Sequence, residues 1–170
     1  VGGSPAFPGK NNVVRDSSGS NSFGWENLNV GNLSVVGGYR NKATGSNSYS
    51  YGSRNTVSGN HSFAIGSAIS VSGDYSSAHG KTITITGNRS LGSGETIVIG
   101  GSYSFAFGTS ITASGTYSLA FGVACVVSGN YSLASGYTST ASENFTYAFG
   151  ALCLASRYGE FAQGGYNSAE

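Results

Sequence analysis

The sequence predicts an all-β chain wound as a parallel β-solenoid, and three observations carry that prediction. A glycine recurs every 14 residues, polarity alternates with period two between the glycines, and no stretch shows the 3.6-residue period of a helix. From Gly31 the chain divides into ten consecutive units of 14 without an insertion: 31–44, 45–58, 59–72, 73–86, 87–100, 101–114, 115–128, 129–142, 143–156 and 157–170. Position 8 of the unit is glycine every time, from Gly38, Gly52 and Gly66 to Gly136, Gly150 and Gly164. Position 1 is glycine in the first eight units and then Glu143 and Arg157; position 4 is serine in the same eight and then Thr146 and Glu160.

The elements follow in chain order. Residues 1–18 fit no unit and residues 19–30 look like a shortened, twelve-residue copy, so 1–30 read as an irregular N-terminal segment with one shortened coil and 31–170 as the ten-coil roll. Within a unit, positions 4–8 form a first strand that alternates around a small residue, as in Ser104-Phe105-Ala106-Phe107-Gly108. Positions 10–13 form a second, as in Thr82-Ile83-Thr84-Ile85. The glycines at positions 1 and 8 fall at the turns, where positive φ or close backbone approach is needed. Abundant β-branched residues and glycine argue against helix. Coils stacked at the interstrand spacing of ~4.8 Å would make ten units a rod roughly 45–50 Å long.

Composition narrows the function. Of 170 residues, 28 are glycine and only 9% are charged, and the net charge of +1 gives no electrostatic argument for nucleic acid or an anionic membrane. No apolar run approaches the ~20 residues of a membrane helix. A chain that opens on Val1 and lacks methionine is expected to be a mature or trimmed fragment. Its two cysteines make no disulfide framework. Cys125 and Cys153 both fall at position 11, two coils or roughly 9.6 Å apart. That exceeds the ~7 Å reach of a disulfide, so both are expected to be reduced core hydrophobes in place of isoleucine.

The apolar pattern asks for a partner. On the second strand, positions 11 and 13 carry pairs such as Ile83/Ile85 and Ile97/Ile99, while 10 and 12 are mostly polar, so one face is buried and one wet. The first strand differs: position 6 is usually alanine, and 5 and 7 are often large, as in Phe63/Ile65, Phe105/Phe107, Leu119/Phe121 and Tyr147/Phe149. A roll has one interior, so the second apolar face implies cover by another copy around a parallel axis. Leaving a Phe or Leu exposed forgoes about 1.5–3 kcal/mol each, repeated along the rod.

Catalytic chemistry is sparse, and no enzyme is expected. His61 and His79 stand apart at positions 3 and 7, Asp16 and Asp74 have no partner at useful spacing, and the Gly-x-Ser stretches lack the strand-to-helix context of a nucleophile elbow. No cofactor or metal set is expected; the repeated aspartates of calcium-binding solenoids are missing. The Asn-x-Ser/Thr sites at Asn32, Asn60, Asn88, Asn130 and Asn144 recur at position 2 and read as turn asparagines. A threonine ladder on the second strand is broken by Val98 and by Ala124 and Val126, which argues against ice binding. The candidate receptor surface is an aromatic column at position 3, Tyr75, Tyr103, Tyr117, Tyr131 and Phe145, interrupted by Arg89. Such rings suit the flat faces of sugars or a protein hot spot, or else only stabilise the turn stack.

Ser62-Phe63-Ala64-Ile65-Gly66, Ser104-Phe105-Ala106-Phe107-Gly108 and Ser118-Leu119-Ala120-Phe121-Gly122 resemble the S-V-A-I-G core of YadA-like head repeats, found in trimeric autotransporter adhesins and in bacteriophage tail fibres. The resemblance covers 31–170. It implies a left-handed β-roll assembled as a homotrimer, extracellular on a bacterial surface or a virion, that attaches to a host glycan or protein receptor or acts as a spacer. Phe63, Ile65, Phe105, Phe107, Leu119, Phe121, Tyr147 and Phe149 would then be trimer or core residues. Aromatics replace the family's usual Val and Ile at positions 5 and 7, and the drifted last unit, from Arg157, looks more like coils near the end of phage rolls. In a trimer with position 7 on the axis, three copies of His79 would meet; Ser93 and Ser135 at the same position favour a plain packing role.

Overall fold

The computed structural model describes residues 11–14 and 19–165. All its regular structure is strand: nineteen strands, every pairing parallel, in one sheet that winds into a solenoid of about eleven coils. From Asn21 onward the pairing offset is 14 residues, as in Gly24↔Gly38, Gly80↔Gly94 and Gly108↔Gly122. The segment 19–30, expected as a shortened copy, takes positions 3–14 at full spacing, with Gly24 in the position-8 turn at φ +105°. Positions 1 and 2 of that coil fall at 17 and 18, outside the described residues. One strand earlier the offset is 15, Val13↔Leu28.

Most coils have a five-residue first strand and a two-residue second strand. Three coils in the middle run through the corner as single nine-residue strands, Ser77–Ile85, Leu91–Ile99 and Phe105–Ala113. Their corners, Gly80-Lys81-Thr82, Gly94-Glu95-Thr96 and Gly108-Thr109-Ser110, keep the glycine and the third residue at positive φ as the other coils do.

The core lies between the two strands. Position 6 alanines meet positions 11 and 13, with Ala78, Ile83, Ile85, Ile97, Ile99 and Ala106 all fully buried. The first strand therefore turns only its small residue inward. Of the residues expected as trimer or core contacts, none enters the roll interior: Phe63, Ile65, Phe105, Phe107, Leu119, Phe121, Tyr147 and Phe149 all face outward, half-buried or exposed. The alternation of the pleat requires this, because positions 5 and 7 lie opposite position 6.

Two polar ladders complete the interior. The position-4 serines are buried; Ser62 Oγ donates to Gly73 O at 2.8 Å and accepts from Ser76 N at 3.1 Å, and the same pattern repeats at Ser76 and Ser90. In the first coils position 11 is asparagine. Asn55 Nδ2 donates to Tyr51 O and Gly66 O, at 2.9 and 3.0 Å, while its Oδ1 accepts from Ile69 N at 3.0 Å. Asn27 and Asn41 do the same. From Ile69 to Ile111 the position turns apolar, and at Cys125, Ser139 and Cys153 it is again a donor. Both cysteines are free and buried, but they are more than hydrophobes. Cys125 Sγ contacts Phe121 O and Gly136 O at 3.3 and 3.4 Å, taking the place of the asparagine amide.

Candidate functional site: the outward stripes

Two stripes run along the outside of the roll. The first is made by positions 5 and 7. Phe107 and Phe121 stack with centroids 5.6 Å apart and planes within 3°, and Phe149 meets Phe161 at 5.6 Å. Near the N-terminal end, Phe23 and Tyr51 lie 6.0 Å apart across Gly37, where any Cβ would strike the Phe23 ring and come within 2.8 Å of Tyr51. The stripe is polar in mid-rod, where Ser77, His79 and Ser93 lie beside the Lys81–Glu95 ion pair of 2.9 Å. His79 is exposed and belongs to no cluster of metal-ligating side chains among the described residues.

The second stripe is the position-3 column, and here the structure adds to what the sequence indicates. Tyr103 stacks on Tyr117 at 4.8 Å, Tyr117 on Tyr131 at 5.0 Å and Tyr131 on Phe145 at 5.2 Å, with planes 4–12° apart. Arg89 does not interrupt the column. Its guanidinium lies between Tyr75 and Tyr103, 5.4 and 5.3 Å from their centroids, and donates to Tyr103 Oη at 2.6 Å. A planar cation stands in for a ring. His61 extends the stack, 4.9 Å from Tyr75 with planes 4° apart. Its place at position 3 was visible in the sequence, but a histidine among tyrosines does not declare itself aromatic packing. At the other end position 3 is Gly159, and Tyr158 closes the column edge-on against Phe145.

Every residue of this column sits at positive φ, from His61 at +52° to Phe145 at +59°. Asn47 and Gly159 hold the same corner at +52° and +72°, so the fold asks for a left-handed residue and not for a ring. A left-handed backbone costs a bulky L-residue about 1–2 kcal/mol. A stacked pair returns about 0.5–1.5 kcal/mol beyond its buried area. Stacking and the ring area that each neighbour covers together offset that cost, and non-glycine residues also hold the position-10 corner at positive φ, as Arg40 at +54° and Arg54 at +58° do. The rings remain exposed, from 36% for Tyr103 to 57% for Tyr75.

Beside the column, the position-2 side chains serve the turn. Asn60 Oδ1 accepts from Ser46 N, Asp74 Oδ1 from Asn60 N and Asn88 Oδ1 from Asp74 N, at 2.7–2.9 Å. At the N-terminal corner Arg40 pairs with Glu26. The guanidinium's hydrogen bond, aided by its charge, holds the Glu26 carboxyl below its ordinary value and raises Arg40 in turn.

Compared with known families and with curated proteins, the chain matches none.

Proposed function

We propose that this chain is a non-enzymatic segment of an extracellular fibre, a head or shaft that assembles as a homotrimer and holds a surface by multivalent display. Its setting would be a bacterial cell surface, anchored through other segments, or a virion. The observation that supports this reading best is the outward apolar stripe. Phe105, Phe107, Leu119, Phe121, Tyr147 and Phe149 fall at positions 5 and 7 of three coils on the outside of a rod whose own core is already closed, and side chains of this size in water favour cover by further copies. Three chains would repeat the position-3 column three times, so weak contacts would act together through effective concentration. No cofactor, metal or nucleic acid enters this reading, and the partners are two further copies and a surface glycan or protein.

The test uses the outward placement of the stripe. Phe107→Asp with Phe121→Asp leaves the roll interior intact, so strand circular dichroism should be kept while the assembly falls to monomers. Attachment of the chain to a bacterial or host-cell surface should weaken by about 100-fold or more as avidity is lost. A double variant that stays assembled, or a monomer that attaches as well as the parent, would overturn the reading.

A further inference from the structure

The stacking changes what the position-3 column can recognise. Along the column each ring turns its faces onto its neighbours, at 4.8–5.2 Å from Tyr103 to Phe145, so a sugar has no open ring face on which to lie. What the column turns outward is edges. Ring-edge C–H groups carry the positive side of the aromatic quadrupole. The phenolic hydroxyls both donate and accept. Those of Tyr75, Tyr117 and Tyr131 have no protein partner among the described residues. Arg89 adds a guanidinium to the row, already turned to Tyr103 Oη.

A row of like groups at a fixed period selects a ligand of the same period. An extended polypeptide repeats its same-face side chains at about 6.6–6.8 Å and falls out of step within two coils. A polyanion would need a row of cations, and the column holds Arg89 alone beside the imidazole of His61. A β-1,4-linked pyranose chain is nearly straight and advances by about one coil per sugar. Its successive rings are flipped, so equivalent edges recur every second coil, which places Tyr103 and Tyr131 against like edges and Tyr117 against the other.

We infer that the column from Tyr75 to Phe145 is an edge-on ladder for a linear, neutral β-1,4-linked polysaccharide lying parallel to the rod, one sugar per coil, hydrogen-bonded by the tyrosine hydroxyls. This rests on the surface-holding function proposed above and specifies its ligand.

The experiment is calorimetric titration of the parent chain with β-1,4-linked oligosaccharides of glucose and of N-acetylglucosamine, two to six sugars long, against α-1,4- and α-1,6-linked glucans of equal length. Affinity should rise with each added β-linked sugar and exceed that for the α-linked series by about tenfold or more. Replacing Tyr75, Tyr117 and Tyr131 together by Phe keeps the rings and removes the three hydroxyls that have no protein partner, while Arg89 keeps its bond to Tyr103 Oη. It should weaken binding by about tenfold or more while the thermal midpoint moves by no more than about 2 °C. Absence of β-1,4 binding, equal binding of both linkages, or full binding by the Phe variant overturns the ladder. If those failures occur while the parent still attaches to cells as a trimer, the fibre reading stands without the ladder. If the oligosaccharides bind as expected to a chain that is monomeric and attaches to no surface, the ladder stands and the fibre reading falls.

Discussion

Replacing Gly108 by alanine tests the winding of the roll at one of its tight corners. Gly108 turns the corner at φ +135° and pairs with Gly122 one coil on. A Cβ there would fall against the Gly122 carbonyl oxygen, 2.9 Å from its carbon and 3.1 Å from the Gly122 nitrogen. All three atoms are backbone, so no side chain can swing aside; the next coil must lift. The backbone strain is about 1–3 kcal/mol. Opening the coil loses about two ladder hydrogen bonds at about 0.5–1.5 kcal/mol each. Gly108→Ala should therefore destabilise by about 2–6 kcal/mol, a fall in melting temperature on the order of 10 °C. Thr109→Val, one residue later on the exposed face, should stay within about 0.5 kcal/mol. Thermal melts followed by circular dichroism, with limited proteolysis to locate the opened coil, measure both. Equal effects of the two substitutions would refute the turn geometry.

Asn55→Ala removes two donors and one acceptor from buried backbone groups and should cost about 2–5 kcal/mol in denaturant titration, whereas the neighbouring Ser53→Ala should be near neutral. Cys125→Ser should change stability by less than about 1 kcal/mol, because Ser139 already donates from position 11 to the Gly150 carbonyl at 2.9 Å. Thiol titration should find Cys125 and Cys153 slow to react until denaturation, and a Cys125–Cys153 bond in a peptide map would contradict the register. Glu26 should titrate below its ordinary value of 4.5 by NMR and return towards it in Arg40→Gln. Because its folded value is lowered, what the pair adds to stability is present in full above pH 4.5 and is lost as pH falls through that lowered value.

Periodicity made the winding legible, because each coil repeats the same backbone problem. Gly38 to Gly164 marked one corner, and the alternation of Ile83/Ile85 and Ile97/Ile99 marked the core. The opposite corner at position 3 carries no glycine for most of its length, since its neighbours hold Tyr75 to Phe145 in the left-handed region that sequence reasoning assigns to glycine. The polar interior was also hidden. Asn27, Asn41 and Asn55 look like turn residues until the corner directs their amides inward to carbonyls of the next coil. The column residues were legible as a set, but their use was not. Spacing shows that Tyr103, Tyr117 and Tyr131 align, and only the ring orientations show that their faces are covered.

In the homotrimer proposed above, one closed roll with its apolar outer stripe is a third of the working object. Multi-angle light scattering of the parent chain at micromolar concentration measures this directly. The proposed trimer would run as a single species at three times the 17.2 kDa chain mass, retained on dilution. A stable, folded monomer with native strand circular dichroism would contradict it.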